Sequence, residues 1–320
     1  MLNVITFNVN GLASNDAMVP KRRKVFTWLK AQRCDVALLQ ETHCSDSMQH
    51  ILSHEWGGDS YFSNGTSNSR GVCILMRRGL DLEIKEIRRD DQGRALFIKG
   101  VFEGKSILIG NIYCPNTDEI ESIMLVNNWL TEMQVDNIVI AGDFNVTLDP
   151  NLDRDGQNQR TVRDYCRLRS RALRETLDEF SLVDIWRKLH PTAAQFTFSR
   201  GSSRSRLDYF FISENLCLPE AHVKCIILPP FLADHRAVQL AVCPMSQTRG
   251  PGYWKFNNSL LTDEDFVDEI SVFIQEALRE NDRNEISRAL LFDTVLCMTR
   301  GKVIQYASRK KRLKLRLHYA

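Results

Sequence analysis

A membrane-crossing helix needs about 20 consecutive apolar residues, and no stretch of this 320-residue chain approaches that, which argues against a membrane-spanning role. The opening residues read as the start of a strand and lack the charged-then-apolar pattern of a signal peptide. Paired cysteines are missing too. The nine cysteines (Cys34, Cys44, Cys73, Cys114, Cys166, Cys217, Cys225, Cys243 and Cys297) are scattered without a CxxC, which excludes the usual zinc spacings. An odd count without such pairs points to reduced thiols in a reducing compartment. Surplus charge is small. With 42 Lys and Arg against 40 Asp and Glu, the net charge of +2 supplies no global attraction for a polyanion, so any such contact must come from local clustering.

What is present is a repeated pattern: an apolar strand with polar groups at its C-terminal end. Asn137-Ile138-Val139-Ile140-Ala141 runs into Gly142-Asp143-Phe144-Asn145. Period-two geometry points Asp143 and Asn145 the same way off the strand end. Hydrolysis of a phosphate ester needs such a pair, though a turn after a strand also favours Asp and Asn. The same pattern recurs at Val4–Gly11, which ends in Asn8, Asn10 and Gly11, and at Val36–Thr42, which delivers Glu41. It recurs again at Ile107–Asn116, with Tyr113 and Asn116, at Ser205–Ile212, with Asp208, and at Ala233-Asp234-His235. Open sheets gather their active sites at such strand ends, so one composite site is expected.

The ordered set Asn8-x-Asn10-Gly11, Gln40-Glu41-Thr42, Tyr113-x-Pro115-Asn116, Gly142-Asp143-Phe144-Asn145, Leu207-Asp208-Tyr209 and Asp234-His235 resembles the endonuclease/exonuclease/phosphatase superfamily. It is most similar to the apurinic-like endonuclease domain of non-LTR, LINE-type retrotransposons, over residues 1 to about 243. The resemblance implies an α/β fold, a four-layer αββα sandwich of two packed mixed sheets flanked by helices. Strand-like segments at 3–8, 36–40, 71–76, 95–101, 106–112, 137–141, 208–212 and 237–242, with helical stretches at 20–32, 119–134 and 163–180, agree with it.

Chemistry assigns roles to the motif residues. Glu41 offers the hard oxygen that Mg²⁺ (Mn²⁺ as the alternative) prefers, and this ion takes few protein carboxylates. Asp143 positions or deprotonates water, and Asn145 holds the phosphate. His235 contacts a non-bridging oxygen and is oriented by Asp208, while Tyr113 donates a hydrogen bond to the phosphate or the leaving group. The resemblance adds Asn10 and Asp234 beside the metal, and Asn8 and Asn116 beside the substrate. Asn10-Gly11 is equally a turn signal. Thr197 reads either as a phosphate contact or as a strand threonine, and Arg154 and Arg206 as DNA contacts or as solvated side chains.

Two departures from the family stand out. Ala233 replaces the usual serine before Asp-His. Ser205 replaces the tryptophan that dedicated abasic-site enzymes carry before Arg-Leu-Asp, which argues against abasic-site specialisation. The Asn-Tyr-Arg and Pro-Ala-Trp-x-Asp-Arg motifs of inositol-phosphate phosphatases are missing. The expected activity is therefore Mg²⁺-dependent nicking of double-stranded DNA to leave a 3′-hydroxyl that primes reverse transcription. The alternatives are a phosphatase or phosphodiesterase on another substrate, and a domesticated protein that only binds nucleic acid.

Local clustering of charge supplies two candidate contacts. Arg160, Arg163, Arg167, Arg169, Arg171 and Arg174 face a single acid, Asp164, and the segment through Leu168, Leu173, Leu177 and Phe180 has helical spacing. A phosphate-tracking face and a solvated face both fit. The Ser- and Arg-rich stretch 201–206 is expected to form a hairpin governing sequence preference. Beyond Cys243, residues 244–252 read as a breaker-rich linker, and 253–320 as a helical connector with a cap at Thr262 and a basic tail. That tail reads as a nucleic-acid contact, an import signal or a cut-off charged helix. No polymerase motif is present. The resemblance implies a reverse transcriptase following in a polyprotein, the element's RNA as a partner, and action in the nucleus.

Overall fold

A computed structural model of the chain describes residues 1–12, 18–66, 69–116, 120–155, 164–217, 222–242, 256, 258–283 and 286–318, with side chains 164–166, 259, 308 and 311–318 outside the description. The chain forms two compact units, Met1–Gln247 and Thr248–Ala320.

The first unit opens with β1 (Leu2–Asn8), α1 (Val19–Ala31), β2 (Val36–Gln40), α2 (Gln49–Trp56), β3 (Asp59–Ser63) and β4 (Val72–Met76). A meander of β5 (Leu82–Arg89), β6 (Ala95–Phe102) and β7 (Lys105–Tyr113) follows, then α3 (Glu121–Met133) and β8 (Ile138–Asp143). The chain continues through β9 (Arg154–Asp155), α4 (Asp164–Glu179), β10 (Leu182–Asp184), α5 (Ile185–Leu189), β11 (Phe198–Arg200), β12 (Ser203–Ser205), β13 (Asp208–Ser213), β14 (Lys224–Ile227) and β15 (Val238–Val242).

These strands form two six-stranded mixed sheets, ordered β14-β15-β1-β2-β4-β3 and β10-β13-β8-β7-β6-β5, with β11-β12-β9 as a small third sheet. Each large sheet holds one parallel pair, β1/β2 and β7/β8, bridged by α1 and α3 respectively, as a parallel connection requires. Fully apolar strands such as Val36–Leu39 and Ile138–Ala141 lie buried, the behaviour of strands covered on both faces.

Three apolar clusters make four layers. Val4, Leu38, Ile74, Ile109, Val139 and Phe210 meet between the sheets. Phe7, Leu39 and Leu75 pack against Val25, Phe26 and Leu29 of α1. Ile140 and Phe211 pack against Val126 and Leu130 of α3 and Leu173 and Leu177 of α4. The αββα sandwich expected from sequence is the fold of this unit. Its inter-sheet core carries a polar stitch. Gln40 Nε2 donates to Asn111 Oδ1 at 2.7 Å, and Asn111 Nδ2 donates to the carbonyls of Leu39 and Cys73.

In the second unit α6 (Glu264–Asn281) and α7 (Arg288–His318) pack through Phe266, Ile270, Val303 and Tyr306. The N-cap of α6 is Asp263 rather than Thr262; its carboxylate accepts from the Tyr306 hydroxyl at 2.7 Å and pairs with Lys310. Arg309 and Lys302 pair with Glu269, so this part of the basic tail is neutralised by α6. The linker 244–252 and Tyr253–Lys255 lie outside the described residues.

Candidate active site

Strand register brings the motif residues together. Asp143 of β8 lies opposite Tyr113 of β7 on one side and Asp208 of β13 on the other. In the other sheet Asn8 of β1 lies opposite Gln40 of β2, which places Glu41 beside it. The backbone at these ends is unusual. Asn10, Glu41, His43 and Asn145 have φ of +45°, +50°, +52° and +49°, left-handed values that concentrate at functional loops. Gly142 is equally constrained, since a Cβ there would lie 1.8 Å from the Ile112 carbonyl oxygen.

Asn8 joins the two sheets. Its Nδ2 donates to Glu41 Oε1 at 3.0 Å and to Asp143 Oδ2 at 2.9 Å, and its Oδ1 accepts from the Asn10 amide. Asn145 braces Asp143 from the other side, donating its backbone N–H to Oδ1 and its Nδ2 to Oδ2, with a further bond from Nδ2 to the Cys114 carbonyl. His235 Nδ1 lies 2.9 Å from Asp208 Oδ2, and its Nε2 is 3.7 Å from Asp143 Oδ2. Phe198 backs the imidazole, with ring centroids 4.8 Å apart.

Burial pushes the Asp143 carboxyl up to about 7, with the Asp208 charge adding to it against the pull of His235. For His235 burial works downward, but the charges of Asp208 and Asp143 outweigh it and raise the imidazole to about 10. Glu41 is also opposed by burial. Hydrogen bonds with His43, Asn8 and Tyr113 prevail and hold it at about 2, ionised throughout the neutral range.

Asn8, Glu41, Asp143, Asn145 and His235 line a cleft of about 400 Å³ together with Asn10, Asn116, Arg154, Arg200 and Asp234. Two positions within it can be tested for a divalent cation. Asp143, Asp208 and His235 present ligand atoms within 4.8 Å of one another, and Asp208 Oδ1 is buried without a partner among the described residues. His235, however, lies between the two carboxylates, with Nδ1 2.9 Å from Asp208 Oδ2 and Nε2 3.7 Å from Asp143 Oδ2, so the imidazole rather than an ion bridges them in this arrangement. Glu41 fits better: an ionised oxygen donor in an open cleft that Asn10 and Asp234 also line suits Mg²⁺.

Several expected contacts lie elsewhere. Arg206 is 1% exposed, bidentate to Asp153 and paired with Asp184, so its guanidinium is buried instead of facing DNA. Thr197 is 0% exposed, and its hydroxyl accepts the backbone N–H groups of Leu207 and Asp208 instead of reaching a phosphate. Asn8, 1% exposed, lines the cleft and donates to both carboxylates. Tyr113 hydrogen-bonds to Glu41, and burial with the Glu41 charge raises its phenol well above its ordinary value.

The basic helix face also resolves differently. Leu168 is exposed and Arg169 points inward, Arg174 donates to the Leu148 carbonyl, and Arg171 pairs with Glu175. Arg160 and Arg163 lie outside the described residues. The 201–206 stretch does form a hairpin, β11 and β12, which pairs in turn with β9. Asp153, Arg200 and the inward task of Arg169 escape a reading of the sequence, because their surroundings are assembled from segments distant in the chain.

A model of the endonuclease/exonuclease/phosphatase family matches residues 5–235. The chain belongs to this family. Among its relatives, the Transposon TX1 uncharacterized 149 kDa protein of Xenopus laevis is 31% identical over 273 residues, which is 83% of this chain and 20% of that protein. The chain thus spans about a fifth of that relative's length. AP endonuclease LMAP from Leishmania major shares the fold, with a TM-score of 0.61 and 21% identity over 75% of this chain and 86% of that one. An AP endonuclease from Archaeoglobus fulgidus aligns with a TM-score of 0.59 and 25% identity over 76% and 99%. Within a family fold of this kind the Asp208–His235–Asp143 row has a direct physical signature.

In the metal-free protein the His235 ring is expected to keep its proton past neutrality, to about 10, and Asp208→Asn to bring its titration back toward 6.5. A folded-state pKa raised above the unfolded value gives stability that is full below pH 6.5 and is lost as pH climbs through about 10. Asp143, also raised, acts in the same sense, its contribution being lost through about 7. Ring-proton NMR and melts across that window test this, and a ring titrating near 6.5 in the wild type would refute it.

Proposed function

We propose that the chain is a metal-dependent endonuclease that nicks duplex DNA and leaves a 3′-hydroxyl for reverse transcription of a LINE-type element. The observation that carries this reading is the single cleft in which Asn8 couples an ionised Glu41 to Asp143, with His235, held by Asp208 behind it, at its wall. The transposon name of the Xenopus relative and the AP endonuclease titles of the structural neighbours support it.

Glu41, with Asn10 and Asp234 beside it, would hold Mg²⁺, which supplies neutralisation of charge on the phosphate and the leaving oxygen. Asp143 orients a water and accepts its proton as the water oxygen bonds to phosphorus. Imidazolium Nε2 of His235 donates to a non-bridging oxygen as charge builds there. The bond from phosphorus to the 3′ oxygen breaks, its electron pair stays on that oxygen, and solvent protonates it. Asn145 and Asn8 hold Asp143, while Tyr113 holds Glu41. Asn116, Arg154 and Arg200, at the cleft wall, contact the DNA backbone.

On the same reading residues 1–243 form the nuclease domain, 244–252 a linker, and 253–320 a connector to a following reverse transcriptase. Element RNA would be a further partner and the nucleus the place of action. Supercoiled plasmid with Mg²⁺ tests the core of this. Conversion to open circles whose ends a DNA polymerase extends, abolished by EDTA and by His235→Ala, is the expected result. A folded wild type that leaves supercoils intact would sink the endonuclease reading.

A further inference from the structure

The helix that reads as a DNA-tracking face carries, at its inward register, a cation with another task. Residues 169, 173 and 177 are spaced by four, so Arg169 occupies the same face of α4 as core residues Leu173 and Leu177. It is 1% exposed. Burying a guanidinium there is costly unless its N–H groups find acceptors. Two of its acceptors belong to different catalytic loops: Nη1 donates to the Asn145 carbonyl at 3.2 Å and Nη2 to the Pro115 carbonyl at 3.0 Å.

These loops follow adjacent parallel strands. Tyr113, the last residue of β7, leads into the one that carries Asn116, and Asp143, the last residue of β8, into the one that carries Asn145. Asn145 already reaches across, from Nδ2 to the Cys114 carbonyl, and sits at a left-handed φ of +49°. We infer that Arg169 is a positioning residue, a fork that locks the Tyr113–Asn116 loop to the Asp143–Asn145 loop and so fixes Asn145 against Asp143. The inference rests on the nuclease reading for its kinetic consequence only.

A planar guanidinium offers divergent N–H groups at fixed angles, which matches two carbonyls on separate loops, whereas a lysine ammonium is a compact point donor. Arg169→Lys should therefore recover part of what Arg169→Met loses. The comparison uses the full chain, with Arg171→Met as the control, because Arg171 is exposed and pairs only with Glu175 among the described residues.

Arg169→Met is expected to lower kcat for nicking on the order of 10²-fold with KM little moved, as a displaced catalytic group does. Amide hydrogen exchange is expected to quicken together at Cys114, Asn116, Asn145 and Val146, while Ile107–Ile112 and Ile138–Ala141 keep their protection. Unchanged exchange in either loop would overturn the inference. So would loss of protection in the strands to the same extent as in the loops, the mark of a residue that merely holds the fold. A wild type that does not nick would end the nuclease reading, and the exchange result would still decide whether Arg169 couples the loops.

Discussion

Asp143→Asn is expected to cut nicking by about 10³-fold or more, toward the upper end of what removal of a general base costs, while leaving the melting temperature nearly unchanged. The substitution keeps the side chain's size but replaces one oxygen with an NH₂. Oδ1 of Asp143 accepts from the Asn145 amide, and Oδ2 accepts from Asn8 and Asn145 side chains. An asparagine must turn its NH₂ toward one set of these donors, so the water-orienting geometry is lost along with the base. Stability has an opposing gain, because the substitution removes a buried charge that lies beside Asp208 and is disfavoured enough to raise its carboxyl to about 7. Kinetics on nicked plasmid and a thermal melt on the same preparation check both halves. Activity within about tenfold of wild type would show that Asp143 neither orients nor activates the nucleophile.

Much of this site is legible in the sequence because it rests on strand ends. Val36–Gln40 is read to the residue, and Leu2–Asn8, Ala95–Phe102, Ile138–Asp143 and Asp208–Ser213 to within two, since buried strands are near-continuous apolar runs. Edges are harder. β5 alternates Leu82, Ile84 and Ile87 with Glu83, Lys85 and Arg88, and β3 opens on Asp59 and Ser60, so their composition resembles surface loops. The short helices α2 and α5 leave too few turns for a period to show.

Side-chain direction is the other blind spot. Nothing local distinguishes Arg206 from a DNA-contacting arginine, because its partners Asp153 and Asp184 are distant in sequence. The α4 face is displaced by one residue for a similar reason: Leu168 is exposed, and Arg169 takes the core register only because two loops present carbonyls to it. The bond from Asn8 to Asp143, 135 positions away at 2.9 Å, is likewise invisible to any local pattern.

Asp153→Ala is expected to destabilise the first unit by about 3–5 kcal/mol, the cost of breaking a buried ion cluster from one side. Asp153 is 0% exposed; its Oδ1 accepts from Arg206 Nε at 2.8 Å and Arg187 Nη2 at 2.5 Å, and its Oδ2 from Arg206 Nη2 at 2.9 Å and the Asp149 amide at 3.0 Å. Burial opposes its charge, yet the Arg206 and Arg187 guanidiniums hold its carboxyl below the usual range. Asp184 pairs with Arg206 at 2.7 Å and also caps α5, while Trp186 and Tyr209 lie 5.1 and 4.5 Å from the Arg206 guanidinium carbon. Two cations against two anions make the cluster neutral. Removing Asp153 leaves two guanidiniums against one carboxylate, Asp184, which pairs with Arg206 while Arg187 loses its acidic partner; Asp153→Ala with Arg206→Met restores the charge balance and should recover part of the loss. The same cluster sets Asp208, because the Arg206 amide donates to the Asp153 carbonyl two residues upstream of it. Activity should consequently fail at a lower temperature in Asp153→Ala, with a melting point lower by on the order of 10 °C. A single substitution that melts with the wild type, or a double substitution that loses the full sum of both singles, would show that these four charges do not act as one unit.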